Sequence, residues 1–419
     1  MSEIRKTGVF LLAAALVAWP SCKEEDASDA GADGDVTPDA ADADGDGDAA
    51  DADADADADG DEDAADADGT DGGAADWIHL WGGSGAHRAY GIAVDSAGNT
   101  YAAGSSGFGD PLVTAYSVFA VKMAPDGSIA WQRYWQSTML GAVTFPYALA
   151  IDEPANRLYV GGSTHTTPGV GPRAFVLALD LDGNEVWSST WGGNLDSSAD
   201  TVYGLAAAPG GGVVAVGNSL GLGGPATYDD AFVARFAADG SVPWSVLVVG
   251  TSQEYLAGVA VDPDAGIAYV AGWTYSMADN AADVMLAAVG VESGAFSWLR
   301  TWNGGDAPVQ EDKAYAVAFD GTDLYVAARS QLNDVLQKWD AAGNILWQRA
   351  WSDGVQPGIE NLSIGAGGAV YAASLTHSPL LDEDALLYKF ESTGDLAWVR
   401  SWGRSPDSQF ATGVVAAGG

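Results

Sequence analysis

Four histidines (His79, His87, His165 and His377) and one cysteine, Cys22, are the side chains of this 419-residue chain best suited to nucleophilic, general-base or metal-binding work. Their placement serves none of these roles locally. There is no metal-binding histidine pair, no local Ser/His/Asp arrangement and no phosphate loop. No residue is therefore assigned to catalysis. What remains is a set of loop residues, Phe108, Tyr116, His165, Tyr228, Asp229, Tyr275 and His377. Aromatic faces beside imidazole, hydroxyl and carboxylate groups suit sugars or peptides, and they are the candidate ligand-binding residues.

The elements that must position them follow from a repeat. Trp131/Trp135, Trp187/Trp191, Trp298/Trp302, Trp347/Trp351 and Trp398/Trp402 are each four residues apart, and Trp77/Trp81 and Trp244 join the series. A turn precedes each complete pair, as at Asp126-Gly127, Asp182-Gly183, Ser293-Gly294, Ala342-Gly343 and Thr393-Gly394, with Asp239-Gly240 ahead of Trp244. Before each turn lies an apolar β-rich run such as Ala174–Asp180 or Ala231–Phe236, so the Trp segments are the second arms of hairpins. Upstream in every unit is another hairpin: Tyr90–Asp95 and Thr100–Ser106 in the first, Tyr147–Asp152 and Arg157–Thr164 in the second. Four antiparallel strands in about 50 residues make a propeller blade, and stacked blades bury faces that one blade cannot. The tryptophans are expected to fill the space between blades as core. Asp230, Asp283, Asp334 and Asp384, each just ahead of a third strand, read as turn caps. The loop residues named above fall in the long, non-repeating connections, all on one face of such a ring.

Six units are complete. Trp77–Trp81 is left over as a last-strand segment, and residues 410–417 as a first-strand segment. The expected fold is thus an all-β propeller of six four-stranded blades plus a partial seventh. Either the reading frame is cut short, or six blades close with the extra strands at the seam.

The run Ala93-Val-Asp-Ser-Ala-Gly-Asn-Thr-Tyr-Ala-Ala-Gly-Ser-Ser106 and its copies, Asp230-Ala-Phe-Val233, and the Trp-Gly-Gly segments at 81–83 and 191–193 resemble the bacterial seven-bladed β-propeller repeat (SBBP-type) proteins. The resemblance covers almost all of residues 77–419. It implies the fold and little about function. Asp182–Trp187 is also similar to the Trp-containing repeat of quinone-cofactor propeller enzymes, which place a basic, metal-binding site over the channel. Fourteen basic residues in 77–419 and no cysteine pair argue against that chemistry. A non-enzymatic binding scaffold without a cofactor is the leading expectation. A quinone-type or other propeller enzyme and a purely structural envelope component are the alternatives.

The N-terminal residues read as an address and a spacer. Arg5 and Lys6 precede an apolar run from Gly8 to Ala18, too short to cross a bilayer but fitting an export signal. Trp19-Pro-Ser-Cys22 resembles a lipoprotein signal, making residues 1–22 a signal peptide and Cys22 the acylated residue, with outer-membrane anchoring facing periplasm or surface. Residues 23–76 carry 23 acidic residues against the single base Lys23 and almost nothing able to form a core. Such a stretch is expected to be a disordered, extended tether with loose calcium association. Residues 77–419 hold 34 acids against 14 bases, within a total charge of −41, which excludes nucleic acid as a partner. A cell-envelope protein or glycan fits better.

Overall fold

The structure is a computed structural model. It describes residues 9–14 and 87–416, apart from residues 108–115, 136–142, 166–170, 193–198, 221–227, 277–280, 306–310, 332, 353–357, 376–384 and 403–409. Cys22, the acidic stretch with its calcium expectation, and Trp77–Trp81 lie outside the described residues.

The first strand, β1 (Val9–Ala14), stands apart in sequence from six consecutive four-stranded sheets. Blade 1 holds β2 (His87–Val94), β3 (Thr100–Gly107), β4 (Tyr116–Met123) and β5 (Ile129–Trp135). Blade 2 holds β6 (Thr144–Asp152), β7 (Arg157–Thr164), β8 (Arg173–Leu179) and β9 (Glu185–Trp191). Blade 3 holds β10 (Ala199–Ala207), β11 (Val213–Leu220), β12 (Asp229–Phe236) and β13 (Trp244–Val248). Blade 4 holds β14 (Glu254–Asp262), β15 (Ile267–Thr274), β16 (Asp283–Gly290) and β17 (Phe296–Trp302). Blade 5 holds β18 (Asp312–Phe319), β19 (Asp323–Ser330), β20 (Asn333–Asp340) and β21 (Ile345–Trp351). Blade 6 holds β22 (Asn361–Ile364), β23 (Val370–Leu375), β24 (Ala385–Phe390) and β25 (Leu396–Trp402). Within each blade every strand pairs antiparallel with the next in sequence.

Successive first strands touch one another around the axis, so they are innermost. The last strand, β26 (Phe410–Ala416), occupies a seventh inner position between blade 6 and blade 1. Thr412 Oγ1 donates to Ala89 O at 2.8 Å on one side, and Ala416 N donates to Ser363 Oγ at 2.9 Å on the other. Ala411, Val414 and Ala416 pack with Tyr371, Ala373 and Leu387 of blade 6. The six blades are thus closed by a strand lying at the seam. β1, inside the segment read as an export signal, pairs antiparallel with β26.

Middle strands are buried along nearly their whole length, as in β8 and β12, because blades cover both of their faces. That is why those segments read as unbroken apolar runs. Fourth strands alternate between exposed and half-buried, as outer-edge strands do. Phe175, Phe232 and Phe236 are, with Tyr101, Tyr159 and Tyr325, among the large side chains sealed in the core, each phenylalanine worth about 3 kcal/mol of burial.

The tryptophans of the outer strands pack between blades as expected, half-buried rather than sealed, and they also act as clamps. Trp187 Nε1 donates to Ala238 O of the following blade at 2.9 Å; Trp131, Trp244 and Trp298 do the same to Leu181, Val291 and Ala341. The indole lies on the glycine of the turn it bonds. A Cβ on Gly240, which has φ +82°, would come within 2.8 Å of the Trp187 ring. The turn glycine therefore answers two demands, the positive φ and the indole seated against it.

One expectation is corrected. Two of the aspartates ahead of third strands bind distant segments instead of their own turn. Asp334 Oδ1 accepts from Ile359 N in blade 6 at 3.1 Å and its Oδ2 from Ser374 Oγ at 3.2 Å, while Asp283 accepts from Asn303 Nδ2 at 2.8 Å. Asp384 lies outside the described residues. Turn capping belongs instead to Asp95, Asp180 and Asp340. Each accepts backbone N–H groups two and four residues on, and each binds the side-chain amide of Asn99, Asn184 or Asn344.

Candidate functional site

The inner strands share a local irregularity. Register slips by one residue between Ala89 and Gly91, Pro146 and Ala148, Val202 and Gly204, Leu256 and Gly258, Ala314 and Ala316, and in β26 between Ala411 and Gly413. The skipped residues are Tyr90, Tyr147, Tyr203, Ala257, Tyr315 and Thr412. In blade 6 the backbone N–H of Glu360 bonds Ala373 O, which Asn361 also faces, so Glu360 holds the same position. A bulge re-aims the extra side chain away from the ladder. Six bulges on inner strands, with Glu360 in the matching place just ahead of β22, set four tyrosines, an alanine, a threonine and a glutamate at one equivalent position.

The aromatic rings form an arc. Tyr147 lies 5.4 Å from Tyr90 and 5.5 Å from Tyr203 between centroids. Blade 4, with alanine at its bulge, substitutes Tyr255 and Trp273, stacked at 4.9 Å, and Trp273 reaches Tyr315 at 5.6 Å. Burial in the channel, with Tyr203 and Tyr90 alongside, pushes the Tyr147 hydroxyl up to about 12. Burial likewise raises Tyr203 and Tyr315. With their pKa values raised, Tyr147, Tyr203 and Tyr315 are protonated donors at neutral pH.

Charged groups cap the arc on the face where the long connections emerge. Tyr255 donates to Asp229 Oδ2 at 2.5 Å, and burial together with this bond raises its pKa. Tyr275 donates to Glu311 Oε1 at 3.0 Å, and Lys313 Nζ donates to Glu311 Oε2 at 2.6 Å. The Lys313 ammonium lies 5.7 Å from the Trp273 ring centre and 5.6 Å from that of Tyr275. Burial works against the charge of Lys313, but its bonds to Glu311 and Tyr275 prevail and hold its pKa above the ordinary value. The lysine bond in turn holds Glu311 low. Arg329 lies 5.0 Å from the Tyr315 ring centre. Glu360 feels that guanidinium, yet burial with the Asp334 charge beyond it raises its pKa.

Of the loop residues expected from sequence, Asp229 and Tyr275 join this network. Tyr228 is exposed beside Asp229. His165 is exposed at the end of β7, with its backbone N–H bonded to Val143 O at 3.0 Å. Tyr116 opens β4 opposite Gly107, while Phe108 and His377 lie outside the described residues. Sequence reasoning missed Tyr147, Tyr203, Tyr255, Trp273, Lys313, Tyr315, Arg329 and Glu360. The signal was present, since Tyr90, Tyr147 and Tyr203 open the first hairpin of successive units.

Gly217-Asn-Ser219-Leu-Gly221 has the spacing of a nucleophile elbow. Ser219, however, lies buried near the end of a regular strand and donates to Asp200. Buried and paired with Asp230 in the ladder, its hydroxyl is not exposed as such chemistry needs. Among the described residues no group of three or more His, Cys, Asp or Glu side chains converges to hold a metal ion. A crevice of about 620 Å³ opens on the hairpin face between Phe319, Thr322, Gly365 and Ser392. Its one charged side chain, Asp320, faces Lys338 at 4.0 Å, so it offers little to a ligand.

Residues 76–110 match a family model described as a β-propeller repeat, SBBP. No curated protein matches the chain. The fold is similar to the crystal structure of a protein from Lactobacillus plantarum, at 16% identity over 78% of this chain and 87% of that chain, with a TM-score of 0.50. It is also similar to the quinohemoprotein alcohol dehydrogenase from Comamonas testosteroni, at 13% identity over 75% and 61% of the two chains and a TM-score of 0.44. A third likeness is to the β-propeller domain of the Trilobed protease from Pyrococcus furiosus, described as having an open velcro topology. There the identity is 10% over 76% and 84%, with a TM-score of 0.43. At such identities the likeness is one of fold alone.

Proposed function

We propose that this chain, an SBBP-type β-propeller repeat protein, is an exported, lipid-anchored binding scaffold that presents the long-loop mouth of its channel to a cell-envelope protein or glycan. The observation that carries the reading is the bulge set. The bulges set Tyr90, Tyr147, Tyr203 and Tyr315 at one equivalent position on successive inner strands, toward the end of the ring that carries Asp229, Glu311, Lys313 and Arg329. Inner strands paired along their length hold these groups in place. The likeness to an alcohol dehydrogenase transfers no redox chemistry at this level.

Export and anchoring rest on the apolar run from Gly8 to Ala18 followed by Cys22. Cys22→Ser is expected to move the protein from the membrane fraction to the soluble one; continued membrane fractionation overturns the anchor. Binding is tested by thermal shift of the full-length chain against peptides, glycans, calcium and a quinone cofactor. A ligand at 100 times its dissociation constant adds about 2.7 kcal/mol to native stability. A shift abolished by substitutions on the hairpin face, and indifferent to Trp273→Ala, overturns the assignment of the mouth.

A further inference from the structure

The second strand of each blade carries a residue pattern set by the bulge it faces. Opposite the residue just ahead of the bulge stands Gly104, Gly162, Gly217, Gly272 or Ala328 in blades 1 to 5. Ser374 holds the matching place in blade 6, next to Ala373, which faces Asn361. The place is tight. A Cβ on Gly104, Gly162, Gly217 or Gly272 would run into the carbonyl oxygen of Arg88, Phe145, Thr201 or Tyr255. Three residues earlier an aromatic ring recurs, as Tyr101, Tyr159, Tyr269, Tyr325 and Tyr371, with Val214 in blade 3. Only Ala, Val and Gly fill the two places between.

β1 repeats this pattern. It pairs antiparallel with β26, the inner strand at the seventh position, from Val9 opposite Ala416 to Ala14 opposite Phe410. The register slips once and skips Thr412, as the first strands slip against second strands in blades 1 to 5. Ala13 then faces Ala411 in the small place, and Phe10 stands three residues earlier in the aromatic place. Leu11 and Leu12 between them are larger than their counterparts and equally apolar. Pairing and residue pattern both put Val9–Ala14 where a second strand belongs. The same six residues lie inside the apolar run from Gly8 to Ala18 that reads as the export signal. A segment held in a β-ladder has its backbone groups committed, and is withdrawn from any machinery that must bind it.

We propose that Val9–Ala14 is the second strand of the seventh blade in the folded precursor, so that folding withdraws the export signal and the two uses of these residues compete. This rests on residues 1–22 being an export signal. Pairing is tested in the full-length chain carrying Cys22→Ser. There Leu11→Cys with Val414→Cys, which are register partners, is expected to form a disulfide about tenfold faster than Leu11→Cys with Val415→Cys, one residue out of register. Val9→Cys with Ala416→Cys supplies a second in-register pair if Val414→Cys does not fold. Ala13→Leu keeps the run apolar but puts a large side chain where the blades carry Gly, Ala or Ser, and is expected to slow the in-register disulfide by about tenfold. In pulse-chase of the chain with native Cys22, Ala13→Leu is expected to speed removal of residues 1–22 by about threefold, as the fraction with a free signal rises. Ala15→Leu adds the same apolarity outside β1 and is expected to leave both rates within about twofold of the parent. Thermal melts check that the six blades stay folded in each variant. Equal disulfide rates in and out of register overturn the strand and leave the export reading untouched. A register-specific disulfide with residues 1–22 retained in every variant overturns the export reading and the competition with it, leaving β1 as a structural strand. A register-specific disulfide with processing no faster in Ala13→Leu than in Ala15→Leu overturns the competition alone.

Discussion

At the scale of single residues, one position can carry two constraints. Gly240 must hold φ +82° and must also lie flat under the Trp187 indole. Gly240→Ala is expected to cost about 1–3 kcal/mol by chemical denaturation, from backbone strain and the displaced ring. Gly210, with φ +76° and nothing within 4 Å, supplies the control for strain alone. Glu254 is the opposite kind of residue, buried at 1% exposure with Oε2 unpartnered and Asp230 nearby. Burial, then Asp230, raises its folded pKa, so its contribution favours the folded state most at low pH and is lost as pH rises through the folded value. Glu254→Gln is therefore expected to stabilise at neutral pH by about 1 kcal/mol, with the gain fading as pH falls toward about 4. A gain that grows on acidification would contradict this. The turn glycines and tryptophans were legible from type and spacing. The direction of Tyr147 was not, because a bulge leaves no mark in a strand already expected to alternate.

At the scale of elements, the hairpins followed from turn chemistry and apolar runs. The expected second arms Arg157–Thr164 and Thr100–Ser106 match β7 and β3 to within a residue. Two features needed neighbours to be seen. Half-burial of the tryptophans depends on which strand lies outermost, and the role of Asp334 depends on what the next blade places beside it. Asp334→Ala takes the acceptor from both Ile359 N and Ser374 Oγ, an expected loss of about 2–3 kcal/mol in a denaturant melt. Asn at this position keeps one acceptor and is expected to cost less than alanine. Of the candidate site, the loop contributions of Asp229 and Tyr275 were legible, since variable connections between repeating strands are visible in sequence. The larger part sits on inner strands, where repetition made the tyrosines look structural.

At the scale of the whole molecule, closure depends on β26. Removing residues 410–419 strips Ala411, Val414 and Ala416 from the cluster shared with blade 6 and breaks the hydrogen bonds to Ala89 and Ser363. The expected loss is about 3–5 kcal/mol with a broadened melt, measured by calorimetry. An unchanged melt would mean that the six blades hold without the seventh strand. Because six positions carry full blades and the seventh carries β26, the ring has an index mark, like the single notch on a dial. A ring of identical units would offer its axis in several indistinguishable orientations. Here every blade stands at its own fixed bearing from the notch, so no two of the six are equivalent.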